Sequence, residues 1–191
     1  MDRAKYLDGR LSVDVLLADG EMVSLVPVQA EDAWLLVEGM SYMSPRSRYM
    51  RFLSGVDHLS SSEVRYFTDI DQVRHVAWGA LLGGEPAGIA RYVVDTTRPV
   101  HAEAAVAVVD AHQRRGIGSL LLAALVAVAR NDGVATFHAE VHPENEVVLR
   151  KMESAGRTNL DGAIHLEISV DLVERSSFDS DFVAVIESAR G

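Results

Sequence analysis

The sequence predicts a mixed α/β domain, a mostly antiparallel sheet flanked by helices. Three observations carry that expectation. Short valine-rich segments of strand length recur from residue 13 to residue 170. One long apolar segment, 115–130, has the length of a helix. Turn chemistry such as Asp19-Gly20 and Gly83-Gly84 separates the segments.

Each element follows in order. Residues 13–17 and 22–28 read as a hairpin about Asp19-Gly20. A helix is expected over 30–40, with Glu31 and Asp32 near its positive end. Ser44 is a good N-cap and Pro45 suits the first helical position, so a second helix starts there. A third starts among Ser60, Ser61 and Ser62 and ends near Phe67. Strands over 73–82 and 86–94 flank Gly83-Gly84, and 102–109 is a further strand. The apolar helix follows, and Gly133 is its natural left-handed stop. A strand over 134–141 precedes a helix that Pro143 opens, that runs to about Ser154 and that Gly156 stops. A strand over 163–170 closes the sheet. The expected organisation is a single domain over 1–191, with a core over about 13–173 and an extension over 174–191. Phe182, Val183, Val185 and Ile186 in that extension are expected to pack on the body or on a second subunit, as in a homodimer.

Bulk composition narrows the function. The 191 residues are 48% hydrophobic and 24% charged, with a net charge of −10. That balance is unlike the basic surface of a nucleic-acid binder, so no such partner is expected, and it suits a cationic substrate. The absence of cysteine excludes disulfides, thiolate metal sites and a cysteine nucleophile. Residues 1–9 lack the apolar core of a signal peptide. The longest apolar run, 117–129, falls short of the roughly 18 residues that span a bilayer. The chain is therefore expected to be cytoplasmic, with no membrane partner.

The chemistry concentrates where the strand over 102–109 runs into a loop, Gln113-Arg114-Arg115-Gly116-Ile117-Gly118-Ser119, and straight on into the apolar helix. Such a loop presents free backbone N–H groups at the positive end of a helix, which favours phosphate. Gly116 and Gly118 permit close approach to the backbone, and Arg114 and Arg115 add charge. No Lys-Ser/Thr pair follows, so this is no P-loop, and the spacing is not that of a dinucleotide fingerprint.

Gln113-Arg114-Arg115-Gly116-Ile117-Gly118 resembles the pyrophosphate loop of GNAT acetyltransferases, and Val106-Ala107-Val108 resembles their fourth strand. The resemblance implies the GNAT acyl-CoA N-acyltransferase fold and acetyl-CoA as co-substrate. The pantetheine arm would pair with the backbone about Val106 and Val108 like an added strand. The loop from Gln113 to Ser119, Ile117 included, would hold the pyrophosphate. His142-Pro143-Glu144-Asn145 resembles the family's second motif, in which Asn145 would contact the cofactor near its reactive end. Ser47-Arg48-Tyr49-Met50-Arg51-Phe52 at its distance from the loop, with Gly88-Ile89-Ala90-Arg91-Tyr92 and Ala102-Glu103-Ala104, is similar to the GNAT domain of bacterial protein lysine acetyltransferases of the Pat type.

That resemblance implies that Glu103 is the general base. Glu103 and Val108 are separated by an odd count, so a β-bulge between them is expected if both serve one side of the strand. Three positions depart from the family pattern. Met152 stands where many GNAT enzymes have a tyrosine acid, Arg157 where an aromatic follows the second-motif glycine, and Gln72 where the Pat-type pattern has a tyrosine, with an expected effect on substrate contacts. His101, His138 and His142 form no known ligand spacing and are expected to be ordinary polar histidines; no metal is expected. Glu140 is either a second carboxylate in the cleft or an exposed one. Tyr49, Phe52 and Phe67 are expected in the core, and Arg46, Arg48 and Arg51 on a solvated helix face.

The expected activity is acetyl transfer to a primary amine, foremost the ε-amino group of protein lysine. A small-molecule amine or amino acid is the alternative acceptor, and a non-catalytic CoA-binding sensor is the alternative from another class. Some Pat-type proteins carry a fused cyclic-nucleotide domain; none is expected within these 191 residues.

Overall fold

The computed structural model describes residues 9–190; the N-terminal segment discussed above lies outside them apart from Gly9. Eight strands form one sheet: β1 (Val13–Leu16), β2 (Met22–Pro27), β3 (His75–Leu82), β4 (Glu85–Val94), β5 (His101–Val108), β6 (Thr136–Val141), β7 (Gly156–Leu160) and β8 (Ala163–Ser169). Their spatial order is β1-β2-β3-β4-β5-β6-β8-β7. Every neighbouring pair is antiparallel except β5 and β6, which are parallel. The two expected hairpins form. Gly20 (φ +88°) turns β1 into β2, and Gly83 (+57°) and Gly84 (+82°) turn β3 into β4.

The helices are α1 (Ala33–Ser41), α2 (Pro45–Phe52), α3 (Ser61–Thr68), α4 (Ile117–Asn131), α5 (Glu146–Lys151) and α6 (Asp179–Arg190). A short 3-10 turn, Ala30–Asp32, leads into α1, so the expected helix begins less regularly than its pattern suggests. Ser44 caps α2 by accepting from the Ser47 N–H, with Pro45 in the first turn. Ser60 and Glu63 form a reciprocal capping box on α3.

Opposite faces of the sheet carry different layers. On one face α4 buries Leu121, Ala124, Leu125 and Val128 against Trp78, Tyr92 and Phe137, all at most 1% exposed. Each large apolar side chain so buried contributes roughly 1.5–3 kcal/mol, which makes this the main core. On the other face α1, α2 and α3 cover Val26 and Leu81 with Leu35, and Val109 with Met40 and Met43. A Cβ at Gly88 would lie 2.8 Å from the Ala107 carbonyl oxygen, so β4 and β5 meet closely there only because that residue is glycine.

Two elements differ from expectation. The helix opened by Pro143 is only α5, and Gly156 starts the edge strand β7 instead of ending a helix. All five β7 residues are exposed, so no alternation of apolar and polar residues marks them as a strand. The C-terminal extension packs on the body. Phe182 and Ile186 are fully buried, and the Phe182 ring meets Trp78 edge-on at 5.5 Å. Arg130 of α4 binds the carbonyls of Val170 (2.8 Å) and Val173, which fastens the connection into α6. Among the described residues no helix is long and apolar enough to cross a membrane.

Candidate active site

β5 and β6 pair only over His101–Glu103 and Thr136–His138. Beyond that point they diverge. β5 continues to Val108 against β4 alone, and β6 continues to Val141 against β8 alone. The β5 edge from Ala104 to Val108 is thus an open row of strand backbone groups. Glu103 lies at the point of divergence, opposite His138, and is exposed.

The β4–β5 register runs unbroken from Gly88–Val108 to Val94–Ala102, so the expected bulge between Glu103 and Val108 is absent. Val106 and Val108 pack against the core on the α4 side. Glu103 shares the opposite face with Ala105 and Ala107, which line a pocket under α1–α3. The strand therefore separates its two expected roles by face, and they meet at its open edge. The small side chains of Ala102, Ala104, Ala105 and Ala107 let an uninterrupted strand fit between two packed layers.

The loop after β5 is built to leave donors free. Arg114 (φ +64°) and Gly116 (φ +94°) take left-handed conformations, which turn the backbone before α4. Gly116 is the N-cap, and its carbonyl accepts from Ser119 (2.9 Å) and Leu120 (3.1 Å). The N–H groups of Arg115, Gly116, Ile117 and Gly118 find no acceptor among the described residues. They sit at the positive end of a 15-residue helix, an arrangement suited to a pyrophosphate. Gly118 has Val108 and Val106 carbons at 3.5 and 4.0 Å from where a Cβ would stand, ordinary contacts, so the glycine demanded by conformation is Gly116.

The side chains divide differently from the sequence reading. The Arg115 guanidinium is drawn back to Asp19 (2.7 Å) and Glu21 (2.8 Å), and its Nη1 donates to His112 Nδ1 at 3.1 Å. Its charge is thereby answered within the protein, while Arg114 stays exposed. Gln113 donates to the Val108 carbonyl (3.2 Å) and Ser47 Oγ (3.3 Å), bracing the loop against β5 and α2. Asp110 accepts from the Ser44 N–H at 3.3 Å. Burial works to raise the Asp110 pKa, but hydrogen bonds from Ser44 and Ser47 outweigh it and hold the group below its ordinary range. Asn145 caps α5 through Val148 N–H at 3.4 Å.

Lys151 was not singled out by the sequence. From α5 it donates to Ser119 Oγ at 2.5 Å and so sets an ammonium beside the start of α4. The signal for it is topological: the second-motif helix returns its last turn to the first turn of the apolar helix.

Other positions receive definite places. Tyr49 is 46% exposed instead of buried, and its ring meets His142 edge-on at 5.2 Å, bridging α2 and the end of β6. Phe52 packs in the smaller core under α1–α3. Gln72 does not line the pocket under α1–α3 and holds backbone instead. It is buried with φ +54° and bonds the Val28 carbonyl (2.8 Å) and the Ala77 backbone (3.2 Å). Arg157, at the position where the family pattern has an aromatic, binds the carbonyls of Leu149 and Met152 and so caps the α5 C-terminus. Met152 packs on the core. Glu140 is exposed and faces His165 at 3.6 Å. His101 and His138 share a hydrogen bond of 2.9 Å. No cluster of three or more His, Asp or Glu among the described residues is placed to hold a metal ion.

Of the three arginines on α2, Arg46 is exposed beside Glu144 (3.1 Å) and Arg48 holds the Met43 carbonyl (3.0 Å) with Asp57 nearby. Arg51 turns inward instead, into the pocket under α1–α3.

A sheet split between two parallel strands, with a donor-rich helix start beside the split, is the architecture of the GNAT N-acyltransferases. The chain belongs to the acetyltransferase (GNAT) family, whose model matches residues 44–156. It is 31% identical over 185 residues to the acetyltransferase Pat of Mycolicibacterium smegmatis, an alignment of 93% of this chain and 54% of that protein. It is 31% identical over 121 residues to the acetyltransferase PA5475 of Pseudomonas aeruginosa, covering 61% of this chain and 64% of the other. The chain thus spans between half and two thirds of these curated relatives. The solved GNAT domain of S. lividans PAT superposes with a TM-score of 0.77 at 34% identity, covering 83% of this chain and 97% of that one.

Proposed function

We propose that this chain is an acetyl-CoA-dependent N-acetyltransferase whose acceptor is a primary amine, foremost the ε-amino group of protein lysine, with Glu103 as general base. The observation that carries the reading is the open β5 edge running from Glu103 to the free N–H groups ahead of α4. The pantetheine amides would add to that edge as a strand does, and the pyrophosphate would sit on the N–H groups of Arg115 to Gly118. These contacts bring the thioester to the divergence of β5 and β6, beside Glu103.

The chemistry follows from protonation. An alkyl ammonium has a pKa of about 10.4 and carries no lone pair until it loses a proton. Glu103 takes that proton, directly or through a water. The amine nitrogen then bonds to the thioester carbonyl carbon, the C–S bond breaks, the CoA thiolate leaves with the electron pair, and the acylated nitrogen gives its extra proton to the thiolate or to water. A thiol pKa of about 8.5 makes the thiolate a tolerable leaving group without an acid at Met152. A small-molecule amine is the second reading, and the largely apolar pocket on the Glu103 face favours it.

Incubation with acetyl-labelled acetyl-CoA and a cell lysate tests the proposal. Label in protein lysine supports the first reading, and label only in small amines supports the second. Binding without transfer to any acceptor leaves a CoA sensor and overturns both.

A further inference from the structure

The pocket under α1–α3 is apolar apart from a few groups: Leu35, Met40, Phe52, Phe67, Ile89 and Ala105 supply much of its wall. Two guanidiniums, Arg51 of α2 and Arg91 of β4, line it as well. Both are half-buried, and neither forms an ion pair with a carboxylate among the described residues. Other arginines here do. Arg10, Arg115 and Arg190 each meet an aspartate directly.

Instead the pair is held by aromatic faces. Arg91 stands 4.7 Å from the Phe67 ring centroid and 5.0 Å from that of Tyr66, and Arg51 lies 5.1 Å from that of Phe52. These faces fix the planes of the guanidiniums and leave N–H donors unspent. The Arg91 Nε is buried without an acceptor among the described residues. Among the described residues Arg91 Nη1 reaches only His75 Nε2, at 3.5 Å. Burial first, then repulsion from Arg91, lowers the Arg51 pKa to about 10, while Glu103 works the other way. Two like charges lining one largely apolar pocket, whose own carboxylate Asp32 is engaged by Arg10 at 2.6 Å, leave room for an anion.

The position of the pair says which anion. Arg91 faces Ala105 across the β4–β5 register and Val93 faces Glu103, so Arg91 and Glu103 are diagonal neighbours on one sheet face. Such neighbours have Cα atoms about 7–8 Å apart. That interval separates the backbones, while the Arg91 guanidinium reaches out over Phe67 and Tyr66 on the same face. An acceptor with its amine at Glu103 and a carboxylate at the arginines would join the two by a short aliphatic chain. We infer that Arg51 and Arg91 form a carboxylate subsite for the acceptor, so that the preferred substrate is an amine carrying a carboxylate a few bonds away. The inference rests on the acetyltransferase reading above. The carboxylate belongs either to a free amino acid or to an acidic residue beside a lysine in a peptide, and the pocket chemistry is shared.

The test compares matched acceptors with wild type, Arg51→Met and Arg91→Met. One arm uses lysine against lysinamide. The other uses end-blocked lysine peptides with glutamate or glutamine next to the acceptor. In at least one arm wild type should prefer the carboxylate by about tenfold or more in kcat/KM, the scale of a charge-assisted hydrogen bond. Each substitution should abolish most of that preference by slowing the carboxylate-bearing acceptor far more than its neutral counterpart, and Arg91→Lys should restore part of it. The arm that responds identifies the source. Equal rates for charged and neutral acceptors in both arms overturn the inference, as does a preference that survives both substitutions. A preference for succinyl-CoA over acetyl-CoA that is lost in Arg91→Met overturns it as well, by assigning the pair to the acyl donor. Direct titration of lysine and lysinamide, with melting curves for each variant, separates the two levels. Arginine-dependent lysine binding without turnover would retain the subsite and sink the acetyltransferase reading, and equal binding of both would sink the subsite.

Discussion

The Arg115 guanidinium lies 2.7 Å from the Asp19 carboxylate, so the loop that opens α4 is fastened to the β1–β2 turn by its own charge. Glu21 completes the clamp at 2.8 Å. Hydrogen bonds donated to both carboxylates raise the Arg115 pKa above its ordinary value and keep it charged. What remains for a phosphate at this helix start is the backbone N–H row, the exposed Arg114 and, beside Ser119, Lys151.

Arg114→Glu and Lys151→Glu should each weaken acetyl-CoA binding by about tenfold or more, the loss of a charge-assisted contact plus repulsion of the pyrophosphate. Arg115→Ala should weaken it less and mainly lower the melting temperature of the free protein, because its side chain holds the loop. Isothermal titration with acetyl-CoA, paired with melting curves, checks the order. Full affinity in both Arg114→Glu and Lys151→Glu would move the phosphates elsewhere.

Phe182→Ala should destabilise the protein by about 3–5 kcal/mol, the usual cost of deleting a fully buried aromatic. Urea unfolding measures it. A loss below about 1 kcal/mol would mean that α6 is not part of the core against Trp78.

His75 gives a pH dependence of known sign. Burial first, then the positive charge of Arg91, lowers its pKa from 6.5 to about 4, against the opposing pull of Asp71. The Tyr66 ring also meets it, at 5.4 Å. Arginine has no acceptor, so Nε2 accepts from Arg91 and the ring is neutral. The unfolded chain binds a proton that the folded one refuses. This contribution is therefore whole above about pH 6.5 and is lost as pH falls toward 4. His75→Gln should flatten the loss of stability over that window, measured by urea unfolding at a series of pH values. A slope equal to wild type would contradict the assignment.

Much of this was legible in the chain itself, because strong local signals coincide with strong physical constraints. Ser44-Pro45, Asp19-Gly20, Gly83-Gly84 and Gly133 stand where the backbone needs them. The strand–loop–helix unit at Gln113 to Ser119 was visible because glycine, charge and a helix start fall together. The strand β7 was hidden because an edge with no buried face has no period. The roles of Arg51, Arg91 and Lys151 were hidden for another reason. Each depends on which neighbour the fold brings: an aromatic face for the arginines and Ser119 for the lysine. Strand alternation placed Glu103 and Val108 on opposite faces, and the structure keeps them there without a bulge.

Turnover of Glu103→Gln at two pH values tests the central claim most directly. The substitution preserves size and removes the basic carboxylate. At about pH 7 the rate should fall about 10²-fold or more, the scale of a lost general base. At about pH 9.5, nearer the amine pKa of about 10.4, more acceptor is already unprotonated, and the defect should shrink. Acetyl-CoA affinity should be retained, since its expected contacts are the β5 edge and the loop before α4. Equal rates for mutant and wild type at both pH values would contradict the account, and so would loss of acetyl-CoA binding together with turnover.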